Sequence, residues 1–379
     1  MDEDFSSLVP SDLGGNHSAV GLTRPTSTAT TLDYLYISPD DYDYGLCVYG
    51  RQRASFLPPV YFTLFLVGLA GNSLVVWVLL RGVQICNTTD VCLLNLALAD
   101  LLLVSTLPFL AYQNLDRWIF GDVMCKALLG VHFIVFYSGI FFITLMSIDR
   151  YLAIVHAVYT LKLRARSFGV VVVAVTWLAG FLTSFPELLY LKEQPSRADV
   201  TFCFPVYPSP LALDNGGAHF WRVFGLFKMN LLGLLVPAVV MTFCYSQIVR
   251  RLLSGQSPRR QTVRVVVTAV AVFFVCWVPY NVASFFRALE LLLVYTECES
   301  SKAIEQALQV TEVVAFTHSC ANPVLYVFVG QKFRRNLFRL VRRTPCALCR
   351  LVKVLVPEQH FRVSNISQTT SVDERSTAV

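Results

Sequence analysis

Residues 125–156 read C-K-A-L-L-G-V-H-F-I-V-F-Y-S-G-I-F-F-I-T-L-M-S-I-D-R-Y-L-A-I-V-H, and no formal charge falls between Lys126 and Asp149. As an α-helix these 32 positions extend roughly 48 Å at about 1.5 Å per residue, enough to cross a bilayer and both headgroup layers. The run is too long and too apolar for the core of a soluble domain. One end carries Cys125 and the other Asp149-Arg150-Tyr151, so such a helix ties one membrane surface to the other.

The rest of the chain agrees. Hydrophobic residues make up 55% and charged residues 15%, against about 25% charged in soluble domains. Seven apolar runs can each span the bilayer as a helix: 57–80, 91–112, 124–155, 168–191, 223–253, 263–289 and 303–329. Basic residues gather in alternate linkers, with Lys162, Arg164 and Arg166 after the third run, Arg250, Arg251, Arg259 and Arg260 after the fifth, and Lys332, Arg334, Arg335 and Arg339 after the seventh. By the positive-inside rule those linkers face the cytoplasm and the N-terminus faces outward. The net charge of +6 is therefore topogenic, and no nucleic-acid partner is expected. No N-terminal h-region precedes the first run, so we expect a signal anchor and not a cleaved signal peptide.

Residues 1–50 are polar and acidic, with Asp33, Asp40, Asp41 and Asp43 set among Tyr34, Tyr36, Tyr42 and Tyr44. Such a composition cannot bury a core. Asn16-His17-Ser18 is a glycosylation sequon. The expected divisions are an extracellular tail (1–50), the membrane bundle (51–330), an amphipathic basic helix on the membrane lipids (331–343) and a cytoplasmic regulatory tail (344–379).

Polar residues inside the runs require a reason, because a charge at mid-bilayer costs at least about 2.5 kcal/mol. Asn72, Asp100 and Glu312 are such residues, and Pro108, Pro279 and Pro323 interrupt apolar helices, where each frees a backbone carbonyl and makes a kink. The order and spacing of Asn72, Asp100, S-I-D-R-Y-L-A-I-V-H-A (147–157), F-F-V-C-W-V-P-Y-N (273–281) and N-P-V-L-Y (322–326) resemble the rhodopsin-like, class A G-protein-coupled receptors. Y-S-G-I-F-F-I-T-L-M (137–146), Thr106-Leu107-Pro108 and Trp118-Ile119-Phe120-Gly121 are similar to the CC chemokine receptors in particular. The resemblance covers about residues 47–338. It departs at Leu110, where relatives carry tryptophan, at His132, where many carry tyrosine, and at Gly139, where many carry a serine that ligates sodium.

The resemblance implies an all-α membrane protein, a bundle of seven transmembrane helices with a short amphipathic eighth. It implies a ligand cavity lined by Tyr61, Tyr112, Trp118, His132, Tyr280 and Glu312. His132 reads equally as a packing residue and as a binding group, and Glu312 as ligand carboxylate or as His132's internal partner. The implied switch comprises Asp100 (a possible sodium site), Trp277, Pro279, Asn322, Pro323 and Tyr326, and the G-protein end Asp149, Arg150, Tyr151 and Tyr245. Of eleven cysteines, Cys47, Cys125, Cys203 and Cys298 fall on the oxidising side, where three pairings are open. The family implies Cys125–Cys203 and Cys47–Cys298. It also implies sulfation of Tyr34, Tyr36, Tyr42 and Tyr44, glycosylation at Asn16, and palmitoylation at Cys346 and Cys349.

The expected function is surface recognition of a chemokine with activation of heterotrimeric G proteins of the inhibitory class. The alternative is a decoy that scavenges chemokine without signalling; the intact Asp149-Arg150-Tyr151 favours signalling. Receptor kinases and arrestin are expected at the Ser/Thr-rich tail, and Thr377-Ala378-Val379 suits a PDZ domain or nothing at all. No lysine falls between 303 and 329 to hold retinal, and no nucleophile arrangement or cofactor motif suggests an enzyme.

Overall fold

In the computed structural model the described residues are 55–82, 88–156, 166–195, 201–207, 216–253, 260–294, 297–329 and 331–343. Helix α1 (Leu57–Gly82) opens on Pro58-Pro59, in the first turn where an N–H is dispensable. It is followed by α2 (Thr88–Leu115), α3 (Gly121–Val155) and α4 (Arg166–Thr183). Gly121 starts α3 at φ 79°, a left-handed conformation that favours glycine. Helix α5 is assembled from Gly216–Asn230, a π turn at Leu231–Leu235 and Val236–Leu253. Pro237 cannot donate to the carbonyl four residues back, which suits the wider turn before it. Helices α6 (Arg260–Leu291), α7 (Cys298–Val329) and α8 (Gln331–Arg343) complete the chain.

Five described helices are long and apolar enough to cross a membrane: α1, α2, α3, α5 and α6. The apolar part of α4 is shorter, Phe168–Thr183, and α7 is diluted by Glu299, Lys302, Glu305 and Glu312. The fourth run ends earlier than the expected residue 191. Helix α4 stops at Thr183, Phe185-Pro186 turns the chain, one helical turn covers Glu187–Tyr190, and Leu191 already belongs to a strand. Pro186 cannot extend the ladder. The carbonyls left at the break, Thr183 O and Phe185 O, each accept a bond from Lys228 Nζ at 2.8 Å, and the same ammonium meets Glu187 Oε2 at 2.5 Å.

The sequence reading contained no strands, yet β1 (Leu191–Pro195) and β2 (Thr201–Pro205) form an antiparallel hairpin with Glu193 opposite Cys203. Cys203 is disulfide-bonded to Cys125 at the start of α3, with Cα atoms 5.5 Å apart. The hairpin is further pinned by Cys203 N–H donating to Gln113 Oε1 (3.1 Å), Glu193 N–H to Asp122 Oδ1 (3.0 Å) and Trp118 N–H to Thr201 O (2.7 Å).

Helix α3 is the axis, touching α2, α4, α5, α6 and both strands. Val170, Val171, Val175, Leu178 and Leu182 lie exposed along α4, as lipid-facing residues do. Lipid tails are as apolar as leucine, so close packing and interhelical hydrogen bonds hold such a bundle together. Asn72 Nδ2 donates to Gly68 O (3.0 Å) within α1 and to Ser319 O (2.9 Å) on α7, and Trp177 Nε1 donates to Asn95 Oδ1 (3.0 Å), joining α4 to α2. On α8, Leu337 and Val341 are buried against Val78 while Arg335, Arg339 and Arg342 are exposed.

The tightest approach is between α3 and α4. A Cβ at Gly180 would overlap Ser138 Oγ and come within 3.1 Å of both Ser138 Cβ and Ile134 O. Overpacking costs about 1–3 kcal/mol, more than the about 1 kcal/mol that alanine gains over glycine in helix propensity. Gly180→Ala is therefore expected to lower the melting temperature of the detergent-solubilised protein, and adding Ser138→Gly to recover most of it. An unchanged melting temperature for Gly180→Ala would contradict this packing.

Candidate functional site

Two turns of α3 place His132, Phe133, Phe136 and Tyr137 on one face, at helical spacing. Opposite them stand Trp277 and Tyr280 of α6 and Glu312, Ala315 and Phe316 of α7, with Met229 of α5 at the side; together they line a small cavity. Its walls are aromatic and its polar groups few, the usual character of a ligand site. Phe136 meets Trp277 edge to face at 5.0 Å, and Trp277 meets Tyr280 at 6.1 Å and Phe273 at 6.3 Å. Trp277 lies two residues before Pro279, the proline inside α6.

Beside the hydroxyls of Tyr137 and Tyr280 and the indole N–H of Trp277, the lining carries Glu312, 3% exposed, and His132, 7% exposed. Tyr61, fully buried on α1, packs on Phe316 at 5.9 Å and is electrostatically coupled to Glu312, as is Tyr280. His132 Nδ1 lies 3.0 Å from Thr106 Oγ1 on α2, and its ring packs on Phe316 at 5.5 Å. Tyr112 and Trp118 lie elsewhere. Tyr112 is 38% exposed and stacks on Phe120 at 5.6 Å. Trp118 is buried, meets Phe120 at 5.1 Å and donates its Nε1–H to Gly121 O at 3.0 Å. Tyr112 sits in the last turns of α2 and Trp118 in the loop that anchors the hairpin, and neither is in the cavity lining.

Beneath the cavity Asn322 Nδ2 donates to Asp100 Oδ2 at 2.9 Å, joining α2 to α7 one residue before Pro323. Tyr326 is buried beside Val75, Leu79 and Ala97. A sodium ion here would find Asp100 and Ser319, but Gly139 brings no side-chain oxygen from α3, so the donor set falls short of the one the resemblance implies. Among the described residues no group of three His, Cys, Asp or Glu is placed to hold another metal.

Residues 71–326 match the family 7 transmembrane receptor (rhodopsin family). Over 356 residues the chain is 40% identical to human C-C chemokine receptor type 1, covering 92% of this chain and 98% of that protein. The chain belongs to the C-C chemokine receptors of the rhodopsin family. It is a multi-pass protein of the plasma membrane and a receptor, not an enzyme.

At the far end of α3 of this receptor, Arg150 Nη2 donates to Asp149 Oδ2 at 2.7 Å, and Thr89 Oγ1 on α2 donates to the same oxygen at 2.6 Å. Tyr245 on α5 donates to Ser147 Oγ at 3.5 Å. Tyr151 lies 3.0 Å from His156 Nε2 through its hydroxyl and packs on Phe243 at 5.6 Å. Arg150 is thus held in an ion pair along its own helix, its side chain only 14% exposed.

Sequence reading missed Phe133, Phe136, Tyr137, Met229, Ala315 and Phe316 as cavity residues. Helical phase could have found most of them: 133, 136 and 137 share a face with His132, and 315 and 316 are one turn from Glu312. Cys298 heads α7, whereas Cys47, Asn16, Tyr34, Tyr36, Tyr42, Tyr44, Cys346 and Cys349 lie outside the described residues.

Proposed function

We propose that the receptor stands with its N-terminus outside the cell, captures a CC chemokine and activates heterotrimeric G proteins of the inhibitory class, raising calcium and driving chemotaxis. The observation that carries this reading is Glu312: a carboxylate 3% exposed in an aromatic cavity that reaches Trp277. A carboxylate in a mostly aromatic cavity attracts a cationic group strongly, because hydrogen bonds to charged groups are the stronger ones and little water screens them there, and the basic N-terminal region of a chemokine supplies such a group. Trp277 passes the contact to the kink at Pro279, the Asp100–Asn322 contact and Tyr326 rearrange, and Arg150 is released from Asp149 toward the G protein. Receptor kinases and arrestin then act on the C-terminal tail.

A chemokine panel applied to cells expressing the chain, with and without pertussis toxin, tests the reading. A toxin-sensitive calcium response to at least one CC chemokine is expected. Uptake of chemokine with no nucleotide exchange would assign the receptor to the decoys instead.

The acidic tail contributes capture. Opposite charge raises encounter rate and adds salt-sensitive affinity, so replacing Tyr34, Tyr36, Tyr42 and Tyr44 by Phe is expected to weaken chemokine binding and flatten its dependence on ionic strength. Equal affinity of both forms at every salt concentration would remove the tail from capture.

A further inference from the structure

Charged and polar groups lie buried where the C-terminal end of α6 meets the N-terminal end of α7, outside the cavity lining. Glu290, 1% exposed, engages both of its oxygens: Arg287 Nη1 donates to Oε2 at 2.8 Å within α6, and the Ser301 hydroxyl donates to Oε1 from α7. Arg287 and Ser301 are buried as well. The adjoining carbonyl, Leu291 O, accepts from His219 Nε2 of α5 at 2.7 Å. A buried ion pair is weak evidence of stability, and its best-attested use is to fix one register among several. The register here is that of α7 against α6. The backbone at the same place points the same way. Leu293 ends α6 at φ 59°, in the left-handed region that favours glycine, and a leucine stays there only where its surroundings hold it. Its N–H donates to Glu290 O at 2.8 Å and the N–H of Val294 to Leu289 O at 3.1 Å. The strained turn is thus built on the residue whose side chain forms the clasp.

We propose that Glu290, clasped by Arg287 and Ser301, is a positioning residue that ties the end of α6 to the start of α7 and so sets the separation of Tyr280 and Glu312 across the cavity. Arg287 lies seven residues from Tyr280, and Ser301 eleven from Glu312. Each pair therefore shares a helix face, about two and three turns apart. A slip of α7 against α6 at the clasp carries the two cavity residues past each other. Glu290 itself touches no ligand in this arrangement and acts through Tyr280 and Glu312. The proposal rests on the cavity being the ligand site argued above.

Two measurements decide it, with Ser301→Ala to open the clasp and Ser301→Thr to keep its hydroxyl. The first is hydrogen–deuterium exchange on the purified receptor without ligand. The amides of Leu292, Leu293 and Val294, hydrogen-bonded at the end of α6, are expected to exchange about 10-fold faster in Ser301→Ala, the equivalent of one hydrogen bond. In Ser301→Thr they are expected to keep the wild-type rate. Unchanged exchange in Ser301→Ala would overturn the proposal. The second uses the CC chemokine found active in the panel. Ser301→Ala is expected to raise the concentration for half-maximal nucleotide exchange about 10-fold at unchanged chemokine affinity and surface expression, and Ser301→Thr to restore it. Faster amide exchange with wild-type potency would leave Glu290 a structural tie and overturn its positioning role. Equal losses of affinity and potency would put the ligand on the clasp itself and overturn that role too. If no chemokine acts on the wild type, the proposed function fails while the clasp is still decided by the first measurement.

Discussion

Glu312→Gln is expected to leave the receptor at the cell surface with most of its chemokine binding, while the concentration needed for half-maximal G-protein activation rises on the order of 100-fold. The change is nearly isosteric, so the packing of Phe316 on α7 against Tyr61 on α1 survives. What is lost is the charge. A buried hydrogen bond to a charged group is worth about 1.5–3 kcal/mol, and every 1.4 kcal/mol is tenfold. Binding persists because the acidic tail makes its contacts independently of the cavity. Potency and affinity therefore separate, and parallel radioligand and nucleotide-exchange curves on the same membranes measure both. A variant that reaches the surface poorly yet signals normally per receptor would mark Glu312 as a strut between helices. Full potency with normal expression would remove it from the site.

Arg150→Ala is expected to abolish agonist-stimulated nucleotide exchange with chemokine binding intact. The guanidinium sits 2.7 Å from Asp149, roughly 20 Å along α3 from Tyr137, the nearest cavity residue on that helix, so its removal leaves the ligand contacts untouched. Exchange of labelled GTPγS on reconstituted membranes reads the effect, with ligand saturation as control. Retained exchange would free Arg150 of its role and weaken the contrast with the decoys, which rests on the intact Asp149-Arg150-Tyr151.

Much of this architecture could be read from residue type and order. Asn72, Asp100 and Asn322 had to find partners because a polar group in a bilayer is costly, and they meet one another's helices. The proline positions and the amphipathic helix after residue 330 were legible for similar reasons. Three features were not. Helix α4 stops at Thr183 because Lys228, forty-five residues away, satisfies the carbonyls at the break; no local pattern encodes so distant a cap. The hairpin is short, and its strands are held by Gln113, Asp122 and Trp118 from other elements as much as by their own alternation. Trp118 and Tyr112 were placed in the cavity by analogy, whereas both rings pack edge to face on Phe120 of the following loop. The Cys125–Cys203 bond illustrates the same limit, since four cysteines on one side permit three pairings and only the family resemblance chose.

The ammonium of Lys228 has three protons, and all three are committed: to Thr183 O, Phe185 O and Glu187 Oε2. Its position 5.6 Å over the Tyr137 ring adds a fourth restraint. The N-terminal half of α5 is thereby moored to the end of α4 and to α3. Directly below it, the π turn at Leu231–Leu235 and Pro237 leave the backbone ladder with weaker cross-links. The mooring and the break in α-helical register thus lie within a few residues of each other, with Met229 of the cavity lining between them.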